Sequence, residues 1–175
     1  GNRDRHGALR AAFDHLSCLP ANGDFLHYAV EEHPVRLVAL DSVSAGERKG
    51  VFCARRVAWL DETLAREPDR PTILFIHHPP FDIGRHYVGG YRRPQDAEDL
   101  AAVVGRHPQV VRLLCGHVHC WHREPWGGTV ATTMPSVAVD LRKEVDAAIG
   151  AAPMYLLHVA SHDGGLDSHE RVVTH

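Results

Sequence analysis

Cys115-Gly116-His117-Val118-His119 follows the apolar run Val110-Val111-Arg112-Leu113-Leu114. A buried strand that meets a glycine turn and then offers two imidazoles is a metal-ligand pattern, because neutral imidazole is the commonest side-chain metal ligand. In extended backbone, residues two apart leave the same side, so the spacing predicts that His117 and His119 emerge together. Two other segments end in comparable chemistry: the apolar run Ile73-Leu74-Phe75-Ile76 followed by His77-His78-Pro79-Pro80, and the opening Gly1-Asn2-Arg3-Asp4. Together they predict a metal site built where several strands end.

Bulk properties narrow the functions such a site can serve. The chain has 175 residues, of which 44% are apolar, enough to bury the core of one domain. Its net charge is -3 with histidine neutral, so there is no basic footprint for a nucleic-acid polymer. A phosphate-bearing substrate must therefore be held by a metal or a few arginines rather than by the overall field. Histidine is enriched at 15 residues, but His33, His107, His162 and His175 lie in polar or terminal stretches. Cys18, Cys53, Cys115 and Cys120 make no CxxC pair, and reduced thiols are expected. Cys115 and Cys120 flank the histidine pair, where a soft ligand and an ordinary strand-end or loop cysteine are both open readings. No run approaches the roughly 18 apolar residues of a membrane span.

The elements that must carry these motifs follow from periodicity. Gly7 to Cys18 places Leu9, Phe13 and Leu16 at helical spacing, a short helix on a core. Phe25 to Val30 and Val35 to Leu40 read as a hairpin of strands. Asp41 to Gly50 is polar and loop-like. Ala54 to Glu67 is an amphipathic helix ended by Pro68. Thr72 to Ile76 and Val110 to Leu114 are continuous apolar strands, buried on both faces. Phe81 to Arg93 is non-periodic and reads as an active-site loop, with His86, Tyr87 and Tyr91 as candidate pocket residues. Pro94 opens a second amphipathic helix through Val104. Beyond His119, Thr129 to Thr133, Ser136 to Leu141, Met154 to Ala160 and Leu166 to Val173 read as strands. Strand and helix alternate first and strands dominate later, which predicts two sheets packed together with helices outside.

The order Gly1-Asn2-Arg3-Asp4, His77-His78-Pro79-Pro80, Gly116-His117-Val118-His119 resembles the C-terminal portion of the calcineurin-like metallophosphoesterases. It looks most like the bacterial cyclic-nucleotide and glycerophosphodiester phosphodiesterase branch. Leu40-Asp41-Ser42, Trp59-Leu60, Pro135-Ser136 and Asp163-Gly164-Gly165-Leu166 extend the resemblance over nearly the whole chain. It implies an α+β fold, a four-layer α/β/β/α sandwich of two mixed sheets whose N-terminal strands precede this chain. Residues 1–175 are then the C-terminal portion of one domain, and the strand-rich end 128–175 is a candidate oligomer interface.

The resemblance also implies a chemistry. Two divalent or trivalent ions (Mn, Fe, Zn or Co) about 3.5–4 Å apart clamp a phosphate and hold the attacking hydroxide. Asn2, His77 and His117 would bind one ion and His119 the other. His78 either orients a ligand or serves packing or capping, and Asp4 either supports a ligand or caps the helix near Gly7. His86 and Tyr91 are assigned to the substrate loop. The substrate is a cyclic nucleotide or small phosphodiester, and homo-oligomers and a cytoplasmic location are expected. A phosphomonoesterase of the same superfamily is the enzymatic rival.

Two departures from the family pattern qualify this. The earlier D-x-H and G-D-x-x-D motifs are absent, and with them most ligands of the first ion, so this chain is expected to be part of a longer catalyst. Arg3 stands where the family has His. Arginine stays protonated, so it grips phosphoryl oxygens and stabilises charge but does not act as a general acid. Slower turnover, a preference for good leaving groups, or a substitute acid such as His6, His78 or metal-bound water follows. A catalytically impaired member that binds a nucleotide or partner is the rival of a different class.

Overall fold

The computed structural model describes residues 1–2, 4–83, 90–134, 137, 153–161 and 165–173. Eleven elements follow the chain: α1 (His6–Ala12), β1 (Tyr28–Val30), β2 (Arg36–Leu40), α2 (Ala54–Ala65), β3 (Thr72–Ile76), α3 (Pro94–Gly105), β4 (Val110–Cys115), β5 (His122–Trp126), β6 (Thr129–Thr133), β7 (Met154–Ala160) and β8 (Leu166–Val172). Six strands form one mixed sheet in the order β1-β2-β3-β4-β6-β5, and β7 and β8 form a separate antiparallel ribbon. This is the expected α+β architecture.

Strands β2, β3, β4 and β6 run parallel, with α2 and α3 as the crossovers between them. Apolar residues at alternate positions explain the helix-covered face. Val38, Leu40, Leu74, Ile76, Leu113 and Cys115 form one buried cluster with Leu60 and Leu64 of α2 and Leu100, Val103 and Val104 of α3. Burying so many large aliphatic side chains, at roughly 1.5–3 kcal/mol each, makes this layer the rigid part of the molecule. Leu37, Ile73, Phe75 and Leu114 point to the opposite face, where His158, Ala160 and Leu166 of the ribbon help enclose a cavity of about 530 Å³. The helical layer, the six-stranded sheet and the ribbon are the layers seen among the described residues.

Pairing register positions the chemistry. Leu40 lies opposite Ile76, and Ile76 opposite Cys115. The residues that follow, Asp41-Ser42, His77-His78 and Gly116-His117, therefore leave three adjacent parallel strands at their carboxyl ends, the edge where open α/β sheets bind ligands.

The structure corrects three expectations. Helix α1 spans only His6–Ala12 and has no buried residue, and Phe13 and Leu16 are exposed; that segment is not packed on the core as its spacing predicts. Strand β5 was not anticipated, because His122-Arg123-Glu124-Pro125 is charged and carries proline. It is a sheet edge, where charges and proline are tolerated. The segment Gly116–His119 is not extended: φ is +71° at His117 and +54° at His119. The strand expected over Ser136 to Leu141 lies outside the described residues, apart from Val137.

Candidate metal centre

Asn2 and His117 each bring a donor atom to His77 where β3 and β4 end. His77 Nε2 lies 3.3 Å from Asn2 Oδ1 and 3.2 Å from His117 Nδ1. Ligands adjacent on an ion with bonds of about 2.1 Å are separated by about 3.0 Å in octahedral and about 3.4 Å in tetrahedral geometry. The two separations measured from His77 fall in that interval, so each pair, His77 with Asn2 and His77 with His117, has the spacing of neighbouring ligands on one ion. Burial pushes the His77 imidazolium pKa down to about 3, helped by the neighbouring His78, and burial also lowers that of His117. Burial thus favours the neutral form of both rings, the form that metal ligation requires.

Close packing enforces this arrangement. A Cβ at Gly1 would come within 2.8 Å of His77 Cε1, so a larger residue there would displace the ring. The His77 and His117 rings are 5.0 Å apart and nearly perpendicular. His117 occupies a tight turn in which the Val118 N–H donates to the Gly116 carbonyl at 2.8 Å. Positive φ at a non-glycine residue costs energy and is typically retained at functional sites. Here it replaces the extended geometry and turns His117 back toward His77. The turn is anchored by Gly116 N–H to the His77 carbonyl at 3.1 Å and by Thr133 Oγ1 to the Cys120 carbonyl at 2.6 Å.

His78 is the third imidazole of the cluster. The ligand atoms of His77, His78 and His117 lie within 4.8 Å of one another, yet His78 is not available to a metal. Its Nε2 is 3.1 Å from the Arg48 carbonyl, which only accepts, so Nε2 carries the proton. Its Nδ1 must then accept from the Ser42 hydroxyl at 2.8 Å. Both nitrogens are committed, the residue is fully buried, and burial holds its pKa down to about 4. The His78 N–H also reaches Ser42 Oγ at 3.3 Å, and the Tyr91 hydroxyl donates to the His78 carbonyl at 3.2 Å. His78 thus fixes the backbone that presents His77.

The remaining predicted residues are placed as follows. His119 is not part of the three-histidine group. Tyr91 is turned into the core, 4% exposed, and serves His78 rather than lining an open loop. Helix α1 is preceded by Arg5 with no side-chain cap; the capping expectation for Asp4 is not met. Cys115 and Cys120 are buried free thiols, with pKa values raised by burial, outside the metal-binding group. Arg3 and His86 lie outside the described residues. Sequence reasoning assigned no role to Ser42; the only signal was its place in Leu40-Asp41-Ser42.

No family model matches the chain. It is 33% identical over 174 residues to a probable glycerophosphodiester phosphodiesterase GpdQ of Arcobacter nitrofigilis, covering 97% of this chain and 63% of that protein. It is 33% identical over 128 residues to the glycerophosphodiester phosphodiesterase GpdQ of Enterobacter lignolyticus, covering 73% and 45%. Against the 3',5'-cyclic adenosine monophosphate phosphodiesterase CpdA of Escherichia coli K12 it is 29% identical over 142 residues, covering 81% and 50%. The chain thus spans between about half and two thirds of these relatives' lengths. Among solved structures it resembles a dimetal phosphatase from Danio rerio, with a TM-score of 0.50 at 16% identity, over 64% of this chain and 49% of that one, a likeness of fold.

Proposed function

We propose that this chain, a homologue of the calcineurin-like metallophosphoesterases, is the part of a metal-dependent phosphodiesterase that holds one ion through Asn2, His77 and His117. The observation that carries the reading is that Asn2 Oδ1 and His117 Nδ1 both lie within 3.3 Å of His77 Nε2 at the carboxyl ends of β3 and β4. Relatives named for glycerophosphodiester and cyclic-nucleotide hydrolysis support a small phosphodiester or cyclic nucleotide as the substrate.

Bound metal ions supply phosphate polarisation and an activated water. This chain's own residues do the rest. Asn2, His77 and His117 provide one neutral N/O ligand set, suited to Mn, Fe, Co or Zn. His119 is offered to a second ion. Arg3, always charged, binds phosphoryl oxygens and stabilises the negative charge of the transition state. His78, Ser42 and Tyr91 keep His77 in place. Asp4, and His86 of the segment 81–93, are proposed as outer partners of the ligands and the substrate respectively.

Metal analysis and hydrolysis of bis(4-nitrophenyl) phosphate by the intact protein test this. Metal-dependent diester hydrolysis, faster than that of 4-nitrophenyl phosphate, supports it. Preference for the monoester favours the phosphomonoesterase alternative. Tight metal binding with no hydrolysis under Mn, Fe, Co and Zn favours a binding member, the reading that Arg3 in place of histidine recommends. Arg3→His tests that residue; an unchanged rate on alkyl and aryl diesters removes Arg3 from the chemistry.

Two further parts of the reading concern assembly and location. Tyr155, Leu157 and Val159 form an exposed apolar row on β7, which supports a homo-oligomer contact through the strand-rich end, to be tested by light scattering. No helix among the described residues is long and apolar enough to cross a membrane. A cytoplasmic location is proposed and is checked by fractionation.

A further inference from the structure

His77 and Gly116 line a cavity of about 460 Å³ together with His6 and Asp41. His6 Nε2 lies 3.1 Å from Asp41 Oδ2. Asp41 is buried and firmly placed. Its Oδ2 accepts the Leu26 N–H at 3.0 Å, its Oδ1 accepts the Val43 N–H at 2.8 Å, and its own N–H donates to His27 Nδ1 at 3.0 Å. A carboxylate fixed by backbone donors and bonded to one nitrogen of an imidazole is the arrangement that orients a proton-transfer ring.

The other histidine lining this cavity, His77, and the histidines next to it in the structure or the Asp41 network have other partners. His77 Nε2 and His117 Nδ1 lie 3.2 Å apart. His78 has both nitrogens bonded within the protein. His27 is enclosed by Phe25, Phe52 and Trp59, stacked on Trp59 at 4.6 Å. Arginine at position 3 keeps its protons. His6, whose side chain is about a quarter exposed, is the imidazole placed on the cavity with a carboxylate partner and no ligand duty.

We propose that His6 is the proton donor to the leaving alcohol and that Asp41 is its positioning residue; this rests on the phosphodiesterase reading above. In the step, a water oxygen bonds to phosphorus while the phosphorus–oxygen bond to the alcohol breaks. The departing oxygen takes the Nδ1 proton of the His6 imidazolium, whose Nε2–H stays on Asp41. The attacking water's proton passes to solvent, and His6 is reprotonated from solvent.

His6→Gln separates proton donation from structure. General acid catalysis is worth about 10²–10⁴-fold, and it is needed for an alkoxide but hardly for 4-nitrophenolate. In the intact metal-loaded protein, His6→Gln is expected to lower kcat on sn-glycero-3-phosphoethanolamine by about 100-fold or more. On bis(4-nitrophenyl) phosphate the change should stay within about 3-fold. Equal losses on both substrates, or no loss on either, overturn the proposal while leaving the phosphodiesterase reading intact. A wild-type protein that hydrolyses neither diester overturns both. Independently of activity, long-range ¹⁵N–¹H spectra of the metal-free protein should show His6 with Nε2 protonated, and a mixture of tautomers in Asp41→Asn. Identical His6 signals in the two proteins overturn the pairing.

Discussion

Ser42→Ala removes one oxygen atom and changes two buried groups at once. The hydroxyl serves His78 Nδ1 at 2.8 Å and the His78 N–H at 3.3 Å, and both residues are at most 1% exposed. Alanine nearly preserves shape but leaves both partners without a bond. An unsatisfied buried polar group costs about 1–3 kcal/mol. The N–H contact is long and belongs at the low end, so the expected loss is about 2–4 kcal/mol. In urea unfolding of the metal-free protein, with a slope of about 2 kcal/mol/M, the midpoint should fall by about 1–2 M at unchanged slope. Metal affinity should fall as well, by about 10–100-fold, the usual effect of losing a partner behind a ligand. In a His78→Phe background the same substitution should cost far less, because no ring nitrogen remains to be satisfied. A loss below about 0.5 kcal/mol, the scale of an ordinary surface substitution, would refute the assignment of His78 as a buried ring held at both nitrogens.

His77→Ala or His117→Ala should weaken the ion shared with Asn2 by more than the roughly 10–100-fold expected for an outer partner, measured by calorimetric metal titration; His119→Ala should leave that ion largely in place. His27 contributes a pH dependence. Burial lowers its pKa from 6.5 to about 4, so the unfolded chain binds that proton more tightly, and the stability is complete above pH 6.5. It is lost as pH falls from about 6.5 to about 4, at up to about 1.4 kcal/mol per pH unit. His27→Asn, whose amide oxygen takes the Nδ1 position and still accepts the Asp41 N–H, should flatten that part of a stability–pH curve. At Gly50 a Cβ would sit 2.9 Å from His78 Cβ and 3.0 Å from the Tyr91 ring. Gly50→Ala should therefore destabilise by about 1–3 kcal/mol, read from the same urea transitions.

The sequence determined the central elements and named the candidate ligands. Apolar runs long enough to be buried on both faces mark β3 and β4, with β3 bounded at the residues predicted and β4 one residue longer. The amphipathic stripes of α2 and α3 fix the helices that cover them. Histidine next to those runs located His77 and His117, and the order of three motifs carries the resemblance to the metallophosphoesterases. The register between distant strands is not local information. It brings Asp41-Ser42, His77-His78 and Gly116-His117 to one edge.

The tertiary structure alone decided the surroundings of each histidine. His77 and His78 are neighbours of identical chemistry, and only their surroundings separate them. One faces Asn2 and His117, whereas the other is enclosed between Ser42 and the Arg48 carbonyl. Likewise, two-residue spacing implied that His117 and His119 share a side, but the left-handed backbone at both residues abolishes that rule. Spacing predicts orientation only while the backbone repeats regularly, and this site is built where the repeat ends.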